Sequence, residues 1–447
     1  MSISAKMIEL GQHASSLISK LENRSATIGV VGLGYVGLPL SVEKAKAGFK
    51  VIGFDVQAKK VDMVNLGINY IGDVIDDDLR EIVKSGKLKA TSDFSFVKDV
   101  DAVTICVPTP LDIYQQPDTS YVESSTREIA RYLHPGMLVV LESTTYPGTT
   151  QELVRPILEE SGLKCGVDFF LAYSPERVDP GNKQFNTKNT PKVVGGVTEE
   201  CTRVASTMYK AVLDGEVHEV SSPAIAEMEK ILENTFRNIN IALANEMAIL
   251  CNKMGIDVWE VIDAAKSKPY GFMAFYPGPG LGGHCIPIDP FYLTWKAREY
   301  NYHTRLIETA GEINNSMPDF VVERIGHILN EESKPIKGST VYLLGVAYKK
   351  DIDDYRESPV LKIIELLEKK GANVICSDPF VSKFRNKGNL YETVLLTKKQ
   401  LEESDITVIT TDHSTFDYKL IGSNAKVIFD TRNVMKNIEV SGKICKL

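Results

Sequence analysis

Apolar positions along this chain fall into short β-branched runs separated by stretches of helical period. Thr27–Val31 is the first run, and it feeds straight into glycines at 32, 34 and 37. Pro39–Ala47 then reads as a helix and Lys50–Phe54 as a second strand ending at Asp55. Further strands are expected at Ala102–Val107, Met137–Leu141 and Phe169–Ala172, with a helix near Ser120–Tyr132. Strands alternating with helices imply a parallel, doubly wound sheet. Ahead of this pattern Met7, Leu10, Leu17, Ile18 and Leu21 have the spacing of a short amphipathic helix.

The texture changes at Ser222-Pro223, a capping residue followed by proline at the first helical position. No glycine or proline follows until after Met254, and Ile231, Phe236, Ile239, Leu243, Met247 and Leu250 recur at helical spacing. Such length predicts a helical spine joining two lobes and offering an interface to a second copy. A second α/β pattern opens at Ser339: strands at Val341–Leu344, Asn373–Ser377, Asp405–Thr411 and Lys426–Phe429, and a helix at Pro359–Lys369. The segment DAVTICVPTP of the first lobe resembles SDITVITTDH of the second, so the two ends read as a pseudo-repeat. The expected fold is therefore α/β, two Rossmann-like doubly wound lobes joined by a central long-helix domain. Its expected divisions are an N-terminal helical extension at 1–24, a dinucleotide-binding lobe at 25–215, a central helical domain at 216–330 and a second nucleotide lobe at 331–447.

Composition narrows the class. The 447 residues, 43% hydrophobic and 25% charged, are those of an ordinary globular chain of roughly three domains. The 51 Lys+Arg against 59 Asp+Glu leave a net charge of −8, and no basic run offsets it, which argues against nucleic acid as a partner. No apolar stretch approaches the roughly 18–20 residues that span a bilayer. The 7 cysteines are sparse, odd in number and without paired spacing. That pattern fits reduced thiols in the cytoplasm better than disulfides, and no metal-ligand cluster is visible around them or the isolated His284 and His413.

The chemistry concentrates in a few segments. Gly32, Gly34 and Gly37 form G-x-G-x-x-G with a strand before, a helix after and an acid, Asp55, at the end of the second strand. Glycines there permit a tight turn and close approach of backbone to a pyrophosphate, while the helix N-terminus favours its charge. Asp55 would accept from ribose hydroxyls and repel a 2′-phosphate, so NAD is expected over NADP. In residues 277–290, PGPGLGGHCIPIDP, eight of 14 positions are glycine or proline. Such a loop suits close approach to a ligand and presents Cys285 with Asp289 four residues on; a buried inert thiol is the alternative. Lys230 and Asn234 share one helix face, as a solvated pair or as something aimed. Glu176 in YSPERVDPG and Thr144 in ESTTYPG could equally be an ion pair and a strand-end cap. Lys349 and Arg356 follow the first strand of the second lobe, where open α/β sheets bind phosphate, in a loop that also holds four acids.

Together these motifs resemble the UDP-glucose/GDP-mannose dehydrogenase family from about Ala26 to Arg432, in order: GLGYVG with its acid, VPTP, EST, SPERV, the Lys230–Asn234 helix, GGHC with Asp289, KKD…RES and FDTR. The resemblance implies an NAD lobe, a UDP lobe, a central dimer-forming helical region, and oxidation of a nucleotide sugar's primary alcohol to a carboxylate with four electrons removed. It makes Cys285 the nucleophile. Lys230, Asn234 and Asp289 stabilise oxyanions and handle protons, and Thr144 and Glu176 position the water. It assigns NAD contacts to Gly32, Gly34, Gly37, Asp55, Thr109, Thr144 and Arg356. Substrate contacts fall on Phe275, Tyr276, Gly278, Gly280, Lys349 and Arg432. Within the family, the run from KPYGF to GGHC looks most like UDP-N-acetylglucosamine 6-dehydrogenases of surface-polysaccharide synthesis, with Ala274 standing where that subgroup generally has proline. UDP-glucose and UDP-N-acetylmannosamine dehydrogenases are the alternatives.

Overall fold

The computed structural model describes residues 11–447 apart from Asp73, Ile113, Pro180, Gly181, Lys183 and His284. The chain divides into two compact units, one running to Leu232 and the other from Glu233. Met7 and Leu10 of the expected first helix lie outside the described residues. The remainder of that helix forms as α1 (Gln12–Glu22), burying Ala14, Leu17 and Leu21.

The first unit continues through β1 (Thr27–Val31), α2 (Gly37–Lys46), β2 (Lys50–Phe54), α3 (Ala58–Asn65), α4 (Asp76–Lys84), β3 (Leu88–Thr91) and β4 (Ala102–Ile105). It goes on through α5 (Ser120–Ala130), β5 (Leu138–Leu141), α6 (Arg155–Glu159), β6 (Phe170–Tyr173), β7 (Lys192–Gly196), α7 (Glu199–Lys210) and β8 (Val217–Val220). The strands order as β3-β2-β1-β4-β5-β6-β7-β8. The first six positions are those of the dinucleotide-binding doubly wound sheet, with the order reversing between β1 and β4. Every pairing is parallel except β6 with β7. Both faces are covered. In β5, Leu138 and Val140 enter the core on one side, and Val139 and Leu141 the core on the other. Burial on both faces is why these strands read as unbroken apolar runs.

Helix α8 (Pro223–Met254) is 32 residues long and unbroken, as its sequence predicts. In the second unit α9 (Val258–Lys266), α10 (Asp289–Ala297) and α11 (Arg305–Glu331) precede β9 (Thr340–Leu344), α12 (Pro359–Lys369) and β10 (Asn373–Ser377). A hairpin of β11 (Lys383–Asn386) and β12 (Asn389–Glu392) follows, then α13 (Lys398–Glu403), β13 (Ile406–Ile409), α14 (Tyr418–Asn424), β14 (Val427–Asp430) and β15 (Lys443–Lys446). The second sheet is wholly parallel, ordered β10-β9-β13-β14-β15, with its reversal between β9 and β13. The expected pseudo-repeat is thus a repeat of structure. β4 pairs with β1 as β13 pairs with β9.

Candidate active site

In the first unit the three glycines of the β1–α2 turn have three separate reasons. Gly32 sits at φ +91°, and a Cβ there would meet the Cys106 carbonyl oxygen at 2.6 Å. A Cβ on Gly37 would meet the Gly32 carbonyl oxygen at 1.8 Å, so the first turn of α2 can pack on the strand end only without a side chain. A Cβ on Gly34 would meet nothing within 4 Å. That open backbone lies one turn before α2, whose unpaired N–H groups attract an anion. Asp55 stands behind the turn and is 7% exposed. Its Oδ2 accepts from Leu33 N–H at 2.9 Å, its Oδ1 from Gln57 N–H at 2.9 Å, and Lys60 Nζ lies 3.6 Å away. Each carboxylate oxygen keeps a lone pair for a ribose hydroxyl. The residues fit a dinucleotide: an open cradle for pyrophosphate, flanked by a fixed acid.

Thr109 and Thr144, both expected near the cofactor, meet. The Thr109 hydroxyl donates to the Thr144 carbonyl at 2.7 Å. Glu176 follows β6. Its Oε1 accepts from the N–H groups of Arg177 and Val178, at 2.8 and 2.9 Å, and Lys192 Nζ stands 3.5 Å from its Oε2. Burial pushes this carboxyl up, but Lys192, the two N–H groups and the Lys230 ammonium together hold it below the usual glutamate range. Lys230 is therefore not a solvated surface lysine: it is 7% exposed and its charge is felt at Glu176.

In the second unit the loop before α10 is pinned from α8 by three asparagines on one stripe. Asn234 Nδ2 donates to Asp289 Oδ2 at 2.6 Å. Asn238 Nδ2 donates to the Ile286 carbonyl at 3.0 Å, and Asn245 Oδ1 accepts from Gly278 N–H at 3.0 Å. Asn314 of α11 ties the ladder together, accepting from Asn245 and donating to the Asn238 carbonyl. All four asparagines are 5% exposed or less. Asn234 spends one amide N–H on Asp289, which leaves the other for a ligand oxygen. The Cys285 carbonyl accepts from Ile288 and Asp289 N–H, so the cysteine sits at the mouth of α10, with Asp289 in its first turn. Of seven cysteines Cys285 is exposed, Cys445 half-buried and the other five buried.

The same loop lies on the carboxyl end of the second sheet. A Cβ on Gly278 would meet Arg432 Nη1 at 2.7 Å, and one on Gly280, at φ +138°, would meet Pro359 at 2.6 Å. Arg432 is held by its Nε donating to the Thr410 carbonyl at 2.9 Å. The Phe275 ring stands edge-on to Phe236 at 5.8 Å, and Tyr276 stacks on Trp259 at 6.0 Å. Lys349 is half-buried beside Tyr348, whose ring covers Gly283. Arg356 belongs to this second unit and forms a two-bond pair with Asp354, both at 2.8 Å. The sequence reading passed over Lys192, Asn238, Asn245 and Asn314. The asparagines carried a usable signal, since 234, 238 and 245 fall on one helical stripe of α8. Lys192 carried none. His284 lies outside the described residues.

Three family models match the chain in succession: the UDP-glucose/GDP-mannose dehydrogenase family NAD binding domain over residues 26–213, its central domain over 224–316 and its UDP binding domain over 342–437. The UDP-N-acetyl-D-mannosamine dehydrogenase of Pyrococcus horikoshii is 36% identical over 92% of this chain and 96% of its own. The UDP-N-acetyl-D-glucosamine 6-dehydrogenase of Pseudomonas aeruginosa is 37% identical over 79% of this chain and 83% of its own. The solved structure of the Pyrococcus horikoshii UDP-D-ManNAc dehydrogenase superposes with a TM-score of 0.86 at 35% identity, covering 94% of this chain and 98% of that one.

Proposed function

Because the chain belongs to the UDP-glucose/GDP-mannose dehydrogenase family and is an NAD-dependent UDP-sugar dehydrogenase, we propose that it oxidises the 6-hydroxyl of UDP-N-acetylglucosamine to a carboxylate. NAD, bound at the glycine cradle, supplies the hydride acceptor. The alcohol carbon first loses a hydride and its hydroxyl a proton, leaving an aldehyde. The Cys285 thiolate adds to that carbonyl, and the resulting thiohemiacetal has a hydride to lose. Loss of that hydride to a second NAD, and of the hydroxyl proton, leaves a thioester on Cys285, and water then releases the carboxylate and the thiol.

Each tetrahedral stage puts negative charge on the sugar oxygen. Lys230 and the remaining N–H of Asn234 supply the donors for it, where removal of one typically costs about 10²–10³ in rate. Asp289, held by Asn234, takes up and returns protons beside Cys285. Thr144 and Glu176 orient the water. Gly278, Gly280, Phe275, Tyr276, Lys349 and Arg432 receive the UDP-sugar. Arg356 and Thr109 complete the cofactor contacts, and they do so from loops that follow sheet strands.

The observation that carries this reading is Cys285 itself: an exposed thiol at the start of a helix, on a loop whose backbone is tied down by buried amides. The N-acetylated substrate is supported by the segment leading to GGHC and by relatives named for acetamido sugars. The mannosamine epimer is the second reading, favoured by the Pyrococcus horikoshii relative and its solved structure. Along α8 the side chains of Ile225, Met228, Leu232, Phe236, Leu243 and Leu250 are each at least 42% exposed. This apolar stripe supports a homodimer through the central helix. The sparse, free cysteines support a reducing, cytoplasmic setting.

The test is a substrate panel: UDP-N-acetylglucosamine, its mannose and galactose epimers, UDP-glucose and GDP-mannose, each with NAD and NADP. UDP-N-acetylglucosamine with NAD should give the highest kcat/KM, with two NADH per carboxylate. A best rate with UDP-N-acetylmannosamine selects the second reading. One NADH per sugar with free aldehyde as product removes Cys285 from the chemistry.

A further inference from the structure

Strand β7 is the one member of the first sheet that runs against its neighbour β6. Ala172 faces Gly196 and Tyr173 faces Gly195. Carrying that register three residues further sets Lys192 across from Glu176, and the Ser174 hydroxyl bond to the Val193 carbonyl, 2.7 Å, holds the two chains together on the way. A strand parallel to β6 would have delivered its first residue to the opposite edge of the sheet. The reversal delivers a lysine to the carboxyl edge, where Glu142 follows β5 and Glu176 follows β6.

Lys192 is 4% exposed and Glu142 1%. Lys192 Nζ lies 2.8 Å from Glu142 Oε2 and 3.5 Å from Glu176 Oε2. The other Glu142 oxygen accepts from the Tyr209 hydroxyl at 2.6 Å, and the Tyr209 ring lies 5.3 Å under the ammonium. One ammonium thus serves two carboxylates. The inner one is fully satisfied and fixed. The outer one keeps 16% of its side chain exposed, and its remaining oxygen is occupied by the Arg177 and Val178 N–H groups.

We propose that Lys192 is a positioning residue of the oxidation: anchored on Glu142 and Tyr209, it fixes the Glu176 carboxylate for its work on the hydrolytic water. This rests on the reading of Glu176 given above. The charged and titratable groups facing Lys192 are Glu142, Glu176, Cys106, Tyr209 and Lys44. Burial brings Lys44 down to about 8 and pushes the Cys106 thiol up. At Glu176 the favourable groups are Lys192, the two backbone N–H groups and Lys230. Without the Lys192 charge, Glu176 takes its proton at a higher pH, and the unprotonated form that accepts a proton from water is lost earlier as pH falls.

Lys192→Met alone strands the Glu142 charge, so the test uses the double variant Lys192→Met/Glu142→Gln beside Lys192→Arg and Glu176→Gln. All are assayed as full-length protein with UDP-N-acetylglucosamine and NAD. The double variant should unfold cooperatively and bind NADH as the wild type does. Its kcat should fall at least tenfold at unchanged KM, and the acidic limb of its kcat profile should move up by a pH unit or more. Lys192→Arg should restore both. Wild-type kcat and limb in the double variant, with Glu176→Gln inactive, overturns the role of Lys192 and leaves the reading of Glu176 standing. Wild-type turnover in Glu176→Gln overturns both.

Discussion

At the end of β1, Gly32 takes φ +91° and its N–H donates to the Phe54 carbonyl at 2.8 Å; at the end of β9, Gly345 takes φ +100° and donates to the Ser377 carbonyl at 2.8 Å. The acid after the next strand then catches the turn in both lobes: Asp55 accepts from Leu33 N–H at 2.9 Å, Asp378 from Val346 N–H at 2.6 Å. Even the strand bases match, with Thr27 N–H on Asp101 and Thr340 N–H on Asp405, each at 2.8 Å. The lobes part at two points. Where the first has the open Gly34, the second has Ala347, which is fully buried. Where Asp55 faces a partly exposed Lys60, Asp378 faces His413, also fully buried, at 3.0 Å. The His413 Nδ1 accepts from Asp351 N–H, so its Nε2 carries the proton and donates to Asp378. One frame therefore supports two economies. In the first lobe the acid and the glycine turn remain available to a ligand, whereas in the second both are consumed by the fold. In the proposed function, the second lobe's contacts with the UDP-sugar therefore fall to other positions, Arg432 after β14 and the 275–280 loop among them.

The sharpest way to break this comparison is to delete both acids. Asp378→Ala leaves His413 and two buried N–H groups without an acceptor and should cost about 3–5 kcal/mol, read by denaturant unfolding. Asp55→Ala should cost about 1–3 kcal/mol and mainly weaken NAD and relax its preference over NADP. Equal losses of stability would mean the acids do the same job. The pH dependence follows. Hydrogen bonds from His413, Ala347 and Val346 outweigh burial and hold the Asp378 carboxyl below the usual aspartate range. Its contribution is complete above the unfolded value, about pH 4, and is lost as pH falls through the folded one. Asp378→Ala should therefore flatten the acid limb of stability.

A smaller effect separates the glycines of the first turn. Gly37→Ala, whose methyl would fall 1.8 Å from a carbonyl oxygen, should destabilise by about 1–3 kcal/mol. The smallest effect on the fold belongs to Gly34→Ala, which meets no protein atom. Its melting temperature should match the wild type while the Kd for NADH rises about tenfold, the roughly 1.4 kcal/mol expected if a ligand occupies that space. An unchanged Kd would empty the cradle of its assigned role.

The strands that sequence reveals best are those buried on both sides, such as β1, β5 and β9. Strand β8 escaped because its His218 and Glu219 are exposed, so its apolar signal is thin. Helix α11 escaped because Gly311 and Pro318 sit inside it, and proline is normally read as a stop. Pro318 packs beside the Gly280 turn, a tertiary contact invisible locally. The glycine turn and Asp55 were legible because their spacing is local. Lys192 was not, since its meaning lies in a strand reversal and in Glu142, which is 50 residues away in sequence.

The distribution of sulfur has a consequence for how this molecule ages. Five thiols are enclosed and a sixth is half-covered, while Cys285 faces solvent. Peroxide and other oxidants reach accessible thiolates first and carry them to sulfenic and then irreversible acids. Under the proposed mechanism, damage accrues at the nucleophile while the scaffold stays intact, and an oxidised population is then folded, ligand-competent and catalytically silent. A well-folded sample and an active one are then separate quantities, and titration of the one reactive sulfur tells them apart.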